Sequence, residues 1–401
     1  VTSVLLATSG LVIGLLTYLL PRFVVSPWQP LGYPFLWVSG EVFCSFFYSL
    51  VVLGEGVTAN TYNTAGYIGY ALIDHALLKF GALGGGVYAL SILVVLLGYG
   101  LWWLLRHQKY RALTVAIGVL WVTAFIPPEK HFKTTDTLPL SVAIIDTRFT
   151  TTEANIEGED FAAYRAAQLQ EAMDAALATG ADYVLLPEDS RLMGVSDAEE
   201  AYKLFRFFYG DPTAIVIDSA RTELTAVGKD AARAFIYDGQ AKRGYAVDKQ
   251  YLAPLGEYLP YSYEMILEWL GLGEAVANLD DLLSYVPGPL KDQSLLPEHV
   301  PAIVFCFEMA APLWVRSFVT ERPVPFVAYT MSHARFHDSA LLILHTERMI
   351  KTQAIYNRIP VVAAGNMVAG AHFTDTGRKV IPERVAEGER WSVGVVTVPQ
   401  K

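Results

Sequence analysis

The sequence is poor in cysteine and in charge. Its 401 residues include two cysteines, Cys44 and Cys306, so no disulfide framework is indicated. Charged residues make up 17% and hydrophobic residues 53%, which is too apolar for an ordinary soluble enzyme. The net charge of −10 argues against a nucleic-acid partner. The sequence also lacks internal repeats and the Gly-Lys-Ser/Thr of a phosphate-binding loop.

Charge is missing altogether from long stretches before about residue 130. Residues 1–21, 81–105 and 112–128 carry no charge, and residues 31–54 carry only Glu41. Each stretch is near the length that crosses the hydrocarbon core of a bilayer. The pattern predicts an α-helical transmembrane bundle of about four spans in residues 1–130. Buried helices of a large soluble core are the alternative, although such helices rarely run so far without charge.

The remaining residues, 131–401, are predicted to form an extracytoplasmic domain. The basic loop 106–111 belongs in the cytoplasm by the positive-inside rule, so the last span leaves the cytoplasm. From Leu138 onward, strand-like and helix-like segments alternate, which predicts a layered α/β domain. The predicted strands are 139–146, 182–187, 213–218, 302–306, 324–329 and 360–364, and the predicted helices include 159–179 and 338–357.

Three segments of this half carry reactive side chains. Pro187 leads into Glu188 at the end of a predicted strand, Lys249 opens a segment that contains Glu257, and Cys306 follows the apolar run 302–305. A lone buried cysteine is usually a small hydrophobe, so Cys306 alone is a weak signal. A carboxylate, however, can take a thiol proton, and a lysine ammonium can favour the thiolate and stabilise an oxyanion. Together the three segments predict a nucleophilic thiol.

The order of these motifs resembles that of the nitrilase, or carbon–nitrogen hydrolase, superfamily. The motifs are Pro-Glu at 187–188, Lys-x-x-Leu-x-Pro-x-Gly-Glu at 249–257 and Cys-x-Glu at 306–308. The segment 249–260 is similar to the lysine segment of the apolipoprotein N-acyltransferase family within that superfamily. The stretch 85–91 looks like part of a late membrane span of that family, and Asn366 also fits its pattern.

The resemblance implies a nitrilase-type αββα sandwich and a catalytic role for five residues. Cys306 would be the nucleophile, Glu188 the general base and acid, and Lys249 the oxyanion stabiliser, with Glu257 and Glu308 as supporting carboxylates. No cofactor and no metal are implied. Family members usually have further spans on both sides, so we expect either a longer protein or a reduced lineage.

The implied function is transfer of a fatty acyl group. The donor would be a phospholipid, the acyl group would pass through a thioester on Cys306, and the acceptor would be the N-terminal amine of a diacylglyceryl-cysteine lipoprotein. The implied location is the bacterial inner membrane, with several spans and the catalytic domain outside the cytoplasm. One alternative is a membrane-anchored amidohydrolase with water as acceptor, and another is an inactive module that scaffolds envelope proteins.

Two further patterns can be interpreted either as a functional site or as ordinary structure. His333 and His337 are four residues apart, which on a helix suits two metal ligands, but no third ligand is evident. The segment 263–270 is amphipathic, which fits an ordinary packed helix or a lid lying on the bilayer.

Overall fold

The computed structural model describes residues 29–124, 139–150, 159–224, 228–334 and 339–399, together with Gly14 and Tyr18. These residues form a helical N-terminal part and an α/β sandwich. The helices are α1 Gln29–Val51, α2 Gly86–Arg106, α3 Tyr110–Ala124, α4 Glu159–Ala178, α5 Ala198–Tyr209, α6 Tyr261–Trp269, α7 Gly273–Leu282, α8 Pro312–Glu321 and α9 Ala340–Asn357. Short 3-10 helices cover Ile68–Leu72, Leu78–Gly84, Gln293–Leu295 and Cys306–Ala310.

The strands form two groups. They are β1 Leu140–Thr147, β2 Tyr183–Leu185, β3 Ile215–Leu224, β4 Lys229–Asp238, β5 Arg243–Asp248, β6 Ala302–Phe305, β7 Val327–Ser332, β8 Val361–Asn366, β9 Ala371–Phe373, β10 Lys379–Val380, β11 Glu383–Glu387 and β12 Trp391–Val398. Sheet A has the order β11-β12-β1-β2-β3-β4-β5, and sheet B has the order β6-β7-β8-β9-β10. Strands β1–β3 are mutually parallel, as are β6–β8. Among the described residues, one backbone pair joins the sheets, Thr147 with Asn366.

Strand residues alternate between two cores, as the period of an extended chain requires. On β1, Val142 and Ile144 face the interior between the sheets, where they share a core with Ile303 of sheet B. Ala143 and Ile145 face outward into a core shared with α4 and α5. Sheet B packs its outer face in the same way on α8 and α9. The four layers are therefore α, β, β and α, which is the predicted sandwich.

Two helices of the N-terminal part are long and apolar enough to cross a membrane, residues 32–51 of α1 and the whole of α2. Helix α3 is apolar but has 15 described residues. The predicted first span, residues 1–21, lies outside the described residues apart from Gly14 and Tyr18. A bundle of four spans therefore stays a prediction. Large apolar side chains of α2 and α3 are exposed, including Trp102, Trp103, Leu105, Val115, Ile117 and Trp121.

The sandwich contacts one end of these helices. The Ser262 hydroxyl donates a hydrogen bond to the carbonyl of Val51, at the end of α1. Helix α2 begins at Gly86, beside the ring of Tyr356 in the sandwich. It ends at Arg106, in the basic loop, about 30 Å further along its axis. The sandwich and the basic loop are thus at opposite ends of α2. The predicted boundary near residue 130 falls in residues 125–138, which are not described.

Candidate active site

The three predicted catalytic residues meet at one edge of the sandwich. Glu188 lies shortly after the end of β2, Lys249 directly follows β5, and Cys306 directly follows β6. The ends of parallel strands are where α/β sheets form ligand crevices. Sheet A supplies Glu188 and Lys249, while sheet B supplies Cys306, so the site lies across the sandwich.

Lys249 is the buried centre of the site. Its side chain is 1% exposed, and Nζ donates to Glu188 Oε1 at 2.9 Å and to Glu257 Oε1 at 2.7 Å. Burial opposes the ammonium form, but the two carboxylates outweigh it and hold the pKa of Lys249 above its ordinary value. The lysine is therefore a fixed positive charge at neutral pH.

Cys306 opens the short helix Cys306–Ala310 and is half-buried. Its Sγ donates a weak hydrogen bond to the carbonyl of Ser332 at 3.9 Å. Burial and the charge of Glu188 raise the pKa of the thiol to about 12, while the ammonium of Lys249 acts in the opposite direction. The resting thiol is therefore protonated, and its attack on a carbonyl needs a base to remove the proton.

Glu188 has the properties of that base. Burial and the negative charge of Glu257 raise the pKa of its carboxyl to about 7, against the lowering effect of Lys249. A carboxyl with a pKa near neutrality can both accept and return a proton at working pH. The charge of Glu188 is one of the causes that raise the pKa of Cys306, so the carboxyl and the thiol lie within electrostatic range of each other.

Glu257 holds the lysine from the other side. Its Oε2 accepts from the backbone N–H of Ala253 at 2.6 Å, which leaves Oε1 aimed at Lys249. The backbone of Glu257 is fixed in turn, because its carbonyl accepts from the N–H of Tyr285 at 3.0 Å. Glu257 thus orients the ammonium from within the same loop.

Glu308 ties the lysine segment to the cysteine segment. Its Oε1 accepts from the backbone N–H of Gln250 at 2.8 Å and of Tyr251 at 3.1 Å. Its Oε2 accepts from the N–H of Phe305 at 3.1 Å. Burial raises the pKa of Glu308, and these backbone N–H groups partly offset that effect. The Glu308 carboxylate therefore holds the lysine segment and the cysteine segment together by hydrogen bonds.

Several residues that support the site were not singled out from the sequence. Arg233 forms a buried two-point ion pair with Asp248, the residue before Lys249, at 2.6 and 3.0 Å. Trp314 donates to Glu308 at 3.3 Å. Asp218 accepts from Ser190 in the loop after Glu188. The only sequence pattern that indicates such supporting residues is a charged side chain at the end of an apolar strand, as at Asp218 after Ile215 to Ile217.

His333, the first residue of the histidine pair, does not lie on a helix. His333 directly follows strand β7, and His337 lies outside the described residues. In the part of the chain that the structure describes, no group of three or more His, Cys, Asp or Glu side chains is arranged to hold a metal ion. The helical premise of the metal interpretation was therefore wrong for His333.

Comparisons with known proteins give similarity of fold only. No family model and no curated protein matches the sequence. A branch 10 nitrilase-superfamily protein from Saccharomyces cerevisiae is 12% identical over 67% of this chain and 93% of its own, with a TM-score of 0.43. A carbon–nitrogen hydrolase from Helicobacter pylori is 12% identical over 64% and 89%, with a TM-score of 0.42. An amidase from Nesterenkonia sp. is 13% identical over 67% and 93%, with a TM-score of 0.40.

Proposed function

We propose that this chain is a membrane-bound N-acyltransferase of the nitrilase superfamily. The observation that carries the proposal is the buried Lys249 ammonium between Glu188 and Glu257, at the strand ends where Cys306 also lies. This set supplies a nucleophile, a base of suitable pKa and a fixed positive charge. Those are the groups that acyl transfer through a covalent intermediate needs.

In the first half-reaction, Glu188 takes the proton of the Cys306 thiol while Sγ attacks the ester carbonyl of a phospholipid. The oxyanion of the tetrahedral intermediate is stabilised by the Lys249 ammonium. Collapse breaks the carbon–oxygen ester bond, and Glu188 returns its proton to the departing lysophospholipid oxygen. The product is a thioester on Cys306.

In the second half-reaction, an amine attacks the thioester carbon. Glu188 accepts a proton from the amine, and the carbon–sulfur bond breaks as the amide forms. The proton then goes to the cysteine sulfur, which restores the resting thiol. The proposed acceptor is the terminal amine of a diacylglyceryl-cysteine lipoprotein. With an amide in place of the phospholipid as acyl donor, and water in place of the amine as acceptor, the same site would act as an amidohydrolase.

The packing of the N-terminal part supports a membrane-bound enzyme. Helix α6 is tied to the end of α1, since the N–H of Tyr261 donates to the carbonyl of Leu53 at 2.9 Å. Tyr261, Met265 and Trp269 follow at intervals of four, so they share one helical face, and all are exposed. A span in α1 would place this face at the bilayer surface, where Trp and aliphatic residues are favoured.

Aromatic side chains link the segment after α1 to the site. The ring of Tyr62 contacts Tyr251 at a centroid distance of 6.4 Å and Trp314 at 6.3 Å. Tyr251 stacks on Phe307, the neighbour of Cys306, at 5.4 Å. Aromatic side chains therefore extend from the N-terminal part to Phe307, the residue next to Cys306. Such a surface suits a fatty acyl substrate better than a small polar amide.

The acceptor is tested in a strain depleted of its own lipoprotein N-acyltransferase. Expression of this chain is expected to restore N-acylated lipoprotein, measured by mass spectrometry of the lipoprotein N-terminus. The matched control is Cys306→Ala, expressed to the same level. Failure to restore N-acylation with intact expression contradicts the proposed acceptor. Release of free fatty acid from phospholipid or of ammonia from amides would favour the hydrolase instead.

A further inference from the structure

The proposed catalytic residues follow strands of two different sheets. The hydrogen bonds within either sheet therefore do not fix the distance from the Cys306 thiol to Glu188 and Lys249. Glu188 and Lys249 follow strands of sheet A, and Cys306 follows a strand of sheet B. Some contact between the sheets must therefore hold the thiol at the right distance from its base. Glu308 links the lysine and cysteine segments on one side of the site. On the other side lies the pair Thr147 with Asn366.

Asn366 is buried at this junction, and its amide bonds to both sheets. On the side of sheet A, Oδ1 accepts from Thr147 Oγ1 at 3.0 Å and from the N–H of Phe149 at 2.9 Å. Nδ2 donates to the carbonyl of Phe149 at 2.9 Å. On the side of sheet B, Nδ2 donates to Ser332 Oγ at 3.2 Å. The amide oxygen therefore accepts two hydrogen bonds and the amide nitrogen donates two, and these partners fix the orientation of the amide from both sides.

Ser332 carries this link to the thiol. Its carbonyl accepts the hydrogen bond from Cys306 Sγ at 3.9 Å. The backbone around Ser332 is also paired with β8, since Ser332 lies opposite Asn366 and the N–H of His333 donates to the Asn366 carbonyl at 2.9 Å. A continuous chain of contacts thus runs from Thr147 through Asn366 and Ser332 to Cys306.

Asp146, the neighbour of Thr147, reinforces the junction. Its Oδ1 accepts from the N–H of Gly365 at 3.0 Å, and its Oδ2 accepts from the N–H of Gly370 at 2.8 Å. A side chain at Gly370 would come within 2.4 Å of the Ala363 carbonyl and 2.7 Å of Asp146 Oδ1. The two sheets therefore approach too closely here for any residue larger than glycine.

We propose that Asn366 is a positioning residue, which sets the distance across the sandwich between the Cys306 thiol and Glu188. This inference rests on the proposed role of Cys306 as the nucleophile. Asn366 touches neither substrate nor the reacting atoms and acts through Ser332. A displacement of about 1 Å in a reacting group can cost on the order of 10²-fold in rate.

The test uses the full chain with Cys44→Ala, so that Cys306 is the remaining one of two cysteines. The measured quantity is the rate of Cys306 alkylation by iodoacetamide as a function of pH, followed by intact-protein mass spectrometry. In the parent, we expect the rate to follow ionisation of the base Glu188. In Asn366→Ala, we expect a rate about 10²-fold lower. The pH at which its alkylation rate rises (the pH limb) should also be higher than in the parent, because the thiol must then ionise without its base.

Two milder variants keep the test meaningful if Asn366→Ala does not fold. Thr147→Val and Ser332→Ala each remove one partner of Asn366, one in each sheet, and leave the other partners of its amide in place. Because both act through one amide, their effects on the alkylation rate should be non-additive. The matched control is Ser141→Ala, which removes a hydroxyl at the opposite end of β1, bonded to Asp182. With Ser332→Ala, it should combine additively.

Additive effects of Thr147→Val and Ser332→Ala would overturn the positioning role of Asn366. A folded Asn366→Ala variant with the parental pH limb would do the same. A separate outcome concerns the proposed function. If the parent forms no acyl thioester with phospholipid while the coupling through Asn366 persists, acyl transfer is wrong and the positioning of the thiol stands.

Discussion

The two sheets bring different chemistry to the site. Sheet A contributes Glu188 and Lys249, two charged groups in direct contact, with Glu257 completing the set from the following loop. Sheet B contributes the Cys306 thiol, which is protonated at rest because burial and Glu188 raise its pKa to about 12. The proposed nucleophile is therefore not activated by its own sheet. Its proposed reactivity depends on charges held on the opposite side of the sandwich.

The supporting groups differ in the same way. Glu308, in the short helix that follows β6 of sheet B, accepts hydrogen bonds from backbone N–H groups and an indole, so it organises chain segments. Glu188 and Glu257 bond to an ammonium, so they define its charge state and position. Variants on the side of sheet A should change chemistry and charge balance. Variants on the side of sheet B, other than at the thiol, should change geometry.

The largest effect is expected for Lys249→Met. The variant leaves two buried carboxylates facing each other without a cation, and breaking such a pair typically costs about 3–5 kcal/mol. Burial raises the pKa of Glu188, and without the ammonium its carboxyl should bind a proton still more strongly in the folded state than in the unfolded state. The folded protein should therefore regain stability at low pH and lose it as pH rises. Thermal unfolding at pH 5 and pH 8 measures this difference.

The control for Lys249→Met is Lys203→Met, at an exposed position of helix α5. It changes the same side chain without disturbing a buried charge. Equal destabilisation of Lys249→Met at both pH values would mean that the carboxylates do not depend on this ammonium. The proposed charge balance of sheet A would then be wrong.

The second prediction concerns the pH dependence of acylation. Glu188 acts as a base only when charged, and its pKa is raised to about 7. The acylation rate should therefore fall as pH drops below about 7 and level off above it. Glu188→Gln should abolish this limb and lower the rate by about 10²- to 10⁴-fold. Single-turnover thioester formation at several pH values measures both effects, and a limb near the ordinary glutamate pKa would contradict the assignment.

Glu308→Gln should have a smaller, structural effect. The amide nitrogen of Gln cannot accept the N–H groups that both carboxylate oxygens now accept, so at least one buried donor loses its partner. The expected loss is about 1–3 kcal/mol in the free energy of unfolding. The pH limb of acylation should stay where it is, because Glu188 and Lys249 are unchanged. A shifted limb would show that Glu308 acts through charge after all.

The smallest effect is expected outside the site, at the exposed face of α6. Trp269 is 84% exposed, and Trp269→Ser should lower acylation from phospholipid in nanodiscs by no more than about tenfold. Acylation from a short-chain, water-soluble ester should not change. The matched control is Phe207→Ser, since Phe207 on α5 is 80% exposed and is distant in sequence from Trp269 and helix α6. Equal effects of the two variants would remove α6 from the membrane account.

The sequence predicts which candidate site residues lie at strand ends better than it predicts the scaffold that holds them. Glu188, Lys249 and Cys306 could be found because each lies in a local motif at a strand end. The strands β4 and β5 were not predicted, since segments such as Lys229–Asp238 mix charged and small residues with few large apolar ones. The predicted span 81–105 starts later, at Gly86, because Leu78–Gly84 forms a 3-10 helix.

Contacts between separate helices, strands and loops cannot be predicted from a local sequence pattern. The ion pair of Arg233 with Asp248 and the bonds of Asn366 to Thr147 and Ser332 join residues that are distant in sequence. No periodicity or spacing marks such partners in advance. They depend on the strand register within sheet A and on the contact between the two sheets, which only the folded chain defines.

The central claim is that Cys306 carries the acyl group. The most direct measurement is intact-protein mass spectrometry after incubation of the full chain in nanodiscs of phosphatidylethanolamine without an acceptor. We predict a mass increase of one fatty acyl group, removable by hydroxylamine, located on the peptide with Cys306 and absent from Cys306→Ala. Persistence of the adduct in Cys306→Ala, or its absence from the folded parent, would contradict the account.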